Sequence, residues 1–106
     1  MAAEYLHVGI PVTNKKPDMI YNNELKLWMT DINCHDFKIE YLKFEEGTPF
    51  PEVMHRNPHI AYKVDDMDKY LNDADEVIFP PTDFGPDLKF AFIIMDGTIM
   101  EILADR

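Results

Sequence analysis

Four residues of this chain have the types and the placement for metal chemistry: His7, Glu40, His59 and Glu101. A divalent first-row ion takes neutral imidazole nitrogens and ionised carboxylates that converge on one point. Two histidines and two glutamates supply that donor set, with waters completing an octahedral shell, and it suits Ni, Mn, Co, Fe or Zn. Both glutamates fall on strand faces among apolar neighbours, Glu40 with Leu42 and Phe44, and Glu101 with Ile99 and Leu103. A carboxylate in such a place costs several kcal/mol unless it is paired or ligates a cation. The plainer alternative is a structural histidine bonded to a glutamate with no ion between them.

The elements that must hold these residues read as strands. Glu4 to Val12 alternates, with Leu6, Val8 and Ile10 on one side and Tyr5, His7 and Gly9 on the other. Glu24 to Thr30 and Phe37 to Phe44 follow as strands, separated by the turn-forming run Asp31 to Asp36. Gly47, Pro49, Pro51 and Pro58 forbid a long regular element between Glu45 and Pro58. His59 to Val64 is a strand, and Asp65 or Asp66 caps a short helix carrying Met67, Tyr70 and Leu71 on one side. Val77 to Phe79 makes a short strand stopped by Pro80-Pro81, with a loop from Asp83 to Asp87. Leu88 to Met95 and Thr98 to Leu103 then form a hairpin about Asp96-Gly97.

The chain carries an internal repeat. His7-Val8-Gly9-Ile10-Pro11-Val12 matches His59-Ile60-Ala61-Tyr62-Lys63-Val64 in its histidine, β-branched residue, small residue and final valine. Ile39-Glu40-Tyr41-Leu42 matches Met100-Glu101-Ile102-Leu103. The interval from His59 to Glu101 exceeds that from His7 to Glu40 by about the length of the Asp65 to Asp73 helix, so the first copy is truncated by that helix, with or without its second strand. The expected fold is therefore α+β, with paired β-α-β-β-β modules forming a curved mixed sheet around a cavity. Residues 1–106 form one domain, with module one at about 4–46, a linker at about 47–57 and module two at about 58–104.

Other chemistries are poorly supplied. His55 and His59 have helical metal-pair spacing, but Pro58 intervenes. Asp66-Met67-Asp68 begins like a calcium loop, yet Leu71 stands where that loop needs glycine. Cys34-His35 lacks a residue to orient the histidine, and no Gly-rich phosphate loop is present. The net charge of −10 and only ten Lys and Arg argue against nucleic acid and anionic membrane as partners. A lone cysteine, no basic-then-apolar leader and no long apolar run lead to the expectation of a soluble, cytoplasmic protein.

The paired openings at His7 and His59, the Ile39-Glu40 and Met100-Glu101 strand ends and the Val64-Asp65-Asp66-Met67-Asp68 step into a helix resemble the vicinal oxygen chelate superfamily. That group includes glyoxalase I, bleomycin-resistance proteins and extradiol dioxygenases. The resemblance implies modules curled around a metal cavity, commonly in homodimers. Glyoxalase-type members take His, Glu, His, Glu as ligands, matching His7, Glu40, His59 and Glu101, whereas extradiol dioxygenases use a single glutamate. The implied activity is that of a lyase or isomerase acting on a small hydroxy-carbonyl or dicarbonyl compound, with Glu40 and Glu101 as catalytic residues abstracting a proton through a metal-bound enediolate. The truncated first module and the supply of only two arginines, Arg56 and Arg106, point to a substrate smaller than glutathione conjugates. The alternative is a non-catalytic small-molecule binding module like the bleomycin-resistance proteins. Trp28, Phe90 and Phe92 are candidates for the cavity wall, with plain core as the alternative that strand parity allows.

Overall fold

The computed structural model describes residues 3–106. The chain is α+β, with mixed sheets and few, short helices. It divides into two compact units, one of residues 3–6 with His59–Arg106 and the other of His7–Pro58. Among the described residues no helix is long and apolar enough to cross a membrane.

The His7–Pro58 unit is built on strand β1 (Ala3–Pro11, entering the unit at His7), β2 (Ile20–Asn22), β3 (Leu27–Met29) and β4 (Ile39–Phe44). Their order is β2-β3-β4-β1, antiparallel except for the parallel pair of β1 and β4. No helix lies between β1 and β2, but β2 itself is present, a three-residue edge strand that the sequence pattern does not announce. Before β4 the chain turns twice. Asp31 Oδ1 accepts the Asn33 N–H at 2.8 Å, setting a 3-10 turn over Ile32–Cys34. Lys38 then takes a positive φ of 55°, its N–H donating to the His35 carbonyl at 3.0 Å, which is why the strand starts at Ile39 and not at Phe37. Thr30 locks this turn to the sheet, its Oγ1 accepting the Tyr41 N–H at 2.9 Å. After β4, a single helical turn α1 (Val53–Arg56) brings His55 to stack on Phe44 at 4.4 Å, while His55 Nε2 contacts the Phe50 carbonyl at 3.1 Å. His55 is thus held away from metal chemistry by local packing.

The other unit runs β5 (His59–Val64), α2 (Met67–Asp73), β6 (Glu76–Phe84), β7 (Leu88–Met95) and β8 (Thr98–Asp105), in the order β5-β8-β7-β6. β5 is parallel to β8, and the remaining pairs are antiparallel. Asp66 caps α2, its Oδ1 accepting the Lys69 N–H at 3.3 Å. Asp96 and Gly97, with φ of 55° and 73°, give the tight β7–β8 hairpin both positive-φ positions it needs.

β6 does not stop at Pro80-Pro81 but continues to Phe84. It is an edge strand, so a missing N–H need not break a ladder bond, and the register shifts between Val77 and Phe79 and between Phe79 and Thr82 absorb the prolines.

α2 covers one face of this unit's sheet. Val64, Met67, Ala91, Ile93, Ile102 and Ala104 form that core, with Tyr70 and Leu71 packed against it. Ile93 is 1% exposed, so Ile93→Ala leaves a cavity that sheet and helix cannot close without moving. The expected cost is about 2–5 kcal/mol, seen as a lowered urea midpoint with an unchanged slope.

Candidate metal centre

The site is built by strand register. In the His7–Pro58 unit, parallel β1 and β4 pair Gly9 with Glu40, which places His7 and Glu40 on one face of the sheet, two residues out of step. In the other unit, parallel β5 and β8 pair Ala61 with Glu101, which places His59 and Glu101 in the same relation. Opposite each glutamate stands a residue with little or no side chain, Gly9 or Ala61, so the carboxylate has room to lean toward the histidine.

The distances follow. His7 Nε2 lies 3.4 Å from Glu40 Oε1, and His59 Nε2 lies 3.6 Å from Glu101 Oε1. Both histidines are buried, His7 at 7% and His59 at 2% exposure. The faces around them are apolar. Glu40 shares its face with Leu42 and Phe44 and, through the β3 pairing, with Met29 and Leu27. Glu101 shares its own with Ile99, Leu103, Phe90 and Phe92. His59 meets the Phe92 ring edge-on at 5.1 Å.

Among the described residues, His7, Glu40 and His59 have the donor types to hold a metal ion. With Glu101 added, two carboxylates balance a divalent charge and two imidazoles offer nitrogen donors, so the chemistry of the four residues fits a first-row cation.

Trp28 does not share the Glu40 face. It pairs with Lys43, on the opposite side of the sheet, where its Nε1–H donates to Glu45 Oε2 at 3.0 Å and Lys15 Nζ sits 4.2 Å from its ring. The hydrogen bond from the Lys43 ammonium holds the Glu45 carboxyl below the ordinary carboxylate range; partial desolvation opposes this, while the charge of Lys43 and the Trp28 bond assist it. Phe90 and Phe92, by contrast, lie on the Glu101 face, where both are buried. Two further aromatics, Phe79 and Phe84, belong to that face through β6. Phe84 escapes a sequence reading because Pro80-Pro81 looks like a strand end, and the face of Phe79 is set only by its pairing with Phe92. The signal available was apolar residues on both sides of the prolines.

Cys34 is exposed, and His35 Nδ1 accepts the Phe37 N–H at 3.0 Å, a bond that makes the ring part of its own turn. No protein-family model matches the chain, and no curated protein sequence matches it.

Proposed function

We propose that this chain is a metal-dependent lyase or isomerase of glyoxalase type, acting on a small hydroxy-carbonyl or dicarbonyl compound. The supporting observation is the repetition of one His–Glu pair: the same residue types, on parallel strands, in the same register, at 3.4 and 3.6 Å. A structural ion pair needs no second copy in matching register, whereas a four-donor site does. In this proposal the two modules curl around a shared cavity, as in the vicinal oxygen chelate proteins that the sequence resembles, and the protein is a cytoplasmic homodimer.

His7, Glu40, His59 and Glu101 would hold the ion. When bound, the cation would supply positive charge to two neighbouring substrate oxygens and so acidify the adjoining C–H. The chain's own part is to hold the substrate carbon beside a carboxylate and keep water out. Ile99, Leu103 and Phe92 flank Glu101, so a C–H brought to its oxygen meets few competing waters. Glu40 or Glu101 would take a proton from one carbon and return it to the next.

The test is the metal content of untagged protein, as purified and after incubation with Ni, Mn, Co, Fe or Zn salts. About one equivalent per chain is expected, given a full set of four donors. Absence of metal under all these conditions would overturn the enzyme reading in favour of a metal-free binding module.

A further inference from the structure

We infer that a cleft on the sheet face opposite Glu40 binds a free α-amino acid as its zwitterion. The cleft lies within the His7–Pro58 unit, shares no residue with the His–Glu pairs and needs no bound metal. Ile39 and Tyr41 alternate with Glu40 along β4 and so belong to the other face of the sheet.

The cleft has a volume of about 270 Å³, and two turns wall it. One turn carries Lys16 and Asp18 and is fixed by Met19. The Met19 N–H donates to the Lys16 carbonyl at 3.2 Å, the Lys16 N–H meets the Met19 sulfur at 3.3 Å, and the Met19 side chain is buried. The other turn carries Asp31 and His35, at either end of the 3-10 turn that precedes β4. Ile39 and Tyr41 line the cleft from β4, and Thr30 lines it from the residue after β3.

Lys16, His35 and Thr30 bring donors to this lining that have no acceptor among the described residues. Lys16 Nζ has no carboxylate partner and sits 4.6 Å from the centre of the Tyr41 ring. His35 Nδ1 accepts the Phe37 N–H at 3.0 Å, which puts the proton of the neutral ring on Nε2, and that ring meets Tyr41 edge-on at 6.1 Å. Thr30 is only 8% exposed. Its Oγ1 accepts the Tyr41 N–H at 2.9 Å, and its own hydroxyl proton finds no acceptor in the described chain. A buried hydroxyl left so is costly, and it points to an oxygen supplied from outside the chain.

Charge decides what carries that oxygen. Donors alone would suit any carboxylate, but Asp18 and Asp31 line the same cleft, in a chain of net charge −10. Asp18 has no partner among the described residues, and Asp31 commits only Oδ1, to the Asn33 N–H at 2.8 Å. These carboxylates repel a simple anion, and the Lys16 ammonium repels a simple cation. Lys16 and the two aspartates share one small space without pairing with each other, so both charges are left for a ligand that carries both. Its carboxylate would accept from Lys16, His35 and Thr30, and its ammonium would donate to Asp18 and Asp31. Ile39 and the Tyr41 ring offer an apolar floor, which suits an aliphatic side chain.

L-Leucine, isocaproate and isoamylamine share one carbon skeleton and carry both charges, the carboxylate alone and the amine alone. Their affinities are to be measured by calorimetry on full-length protein, as purified and after dialysis against a chelator, so that chelation of a metal by the amino acid is told apart from the cleft. Leucine is expected to bind about ten-fold or more tighter than either analogue, equally in both preparations. Lys16→Met should weaken leucine binding by about ten-fold and Asp18→Asn by about three-fold. Lys15→Met is the control, since its ammonium lies over Trp28 outside the cleft, and it should change the affinity by less than about two-fold. Lys15 and Asp18 are exposed and Lys16 is half-buried, so each variant should keep the fold, which an unchanged urea midpoint confirms.

No binding of leucine at millimolar concentration would overturn the inference. Isocaproate binding as tightly as leucine would make the cleft an anion site, and isoamylamine binding as tightly would make it a cation site; either result overturns the zwitterion. Leucine affinity unchanged in both Lys16→Met and Asp18→Asn would place the binding elsewhere and overturn the cleft. Affinity lost on dialysis against the chelator would be capture by a metal, which also overturns it. The metal reading is judged separately, by metal content, and stands or falls independently of these results.

Discussion

Glu40→Ala is expected to abolish stoichiometric metal binding, taking bound transition metal from about one ion per chain to near zero by mass spectrometry of dialysed protein. Losing even a partner that only orients a ligand typically weakens metal affinity by about 10–100-fold, and removal of a direct donor exceeds that. Charge adds to the effect. In the proposed site the loss of Glu40 would leave one carboxylate donor for a divalent cation, and the excess charge would be poorly compensated. The fold has reason to survive, because the alanine occupies a half-buried strand position opposite Gly9, and neither Leu42 nor Leu27 loses its place on that face. Glu45→Ala is the matched control. It also removes a carboxylate of this unit, but one that bonds Lys43 and Trp28 on the far side of the sheet, so metal content should be unchanged. Metal retained at full stoichiometry in Glu40→Ala would reduce His7 and Glu40 to a structural pair.

The strands that carry His7, Glu40, His59 and Glu101 were legible in the sequence as β-branched and aromatic runs bounded by turn residues. In β5 and β8, the two-residue period puts His59 and Glu101 on definite faces, and only the register between strands had to be supplied by the fold. Asp66 as the cap of α2 and Asp96-Gly97 as the hairpin turn were legible for a different reason, since their chemistry is local.

What escaped is non-local. β2 has three residues and exists through its pairing with β3, as Tyr21 opposite Trp28 illustrates. The side of the sheet on which Trp28 falls depends on its pairing with Lys43, and no pattern within β3 specifies a partner in β4. Pro80-Pro81 breaks a central strand but not an edge strand, and edge position is a property of the whole sheet. Phe84 was therefore hidden, falling in the stretch read as a loop from Asp83 to Asp87.

Glu101→Gln distinguishes a ligand from a base. Glutamine keeps the size and an oxygen donor but has no affinity for a proton, so the proposed chemistry should fail even where the ion is held. The reaction can be followed before its product is known, because abstraction next to a carbonyl exchanges that hydrogen with solvent. Wild-type protein loaded with metal should catalyse deuterium incorporation from D2O into small hydroxy-carbonyl compounds, read by proton NMR. For Glu101→Gln, measured at a metal concentration that restores full occupancy, the rate is expected to fall by about 10²–10⁴-fold, the usual worth of a positioned general base. Glu40→Gln, treated identically, shows whether the two carboxylates share the task. Their surroundings differ: Glu101 stands opposite Phe92 and Ala61 and between Ile99 and Leu103, whereas Glu40 stands opposite Gly9 and beside Leu42. A larger loss for Glu101→Gln would assign the proton transfer to Glu101 and leave Glu40 as a ligand. Undiminished exchange in Glu101→Gln at full occupancy would remove Glu101 from the base role and leave it as a ligand alone.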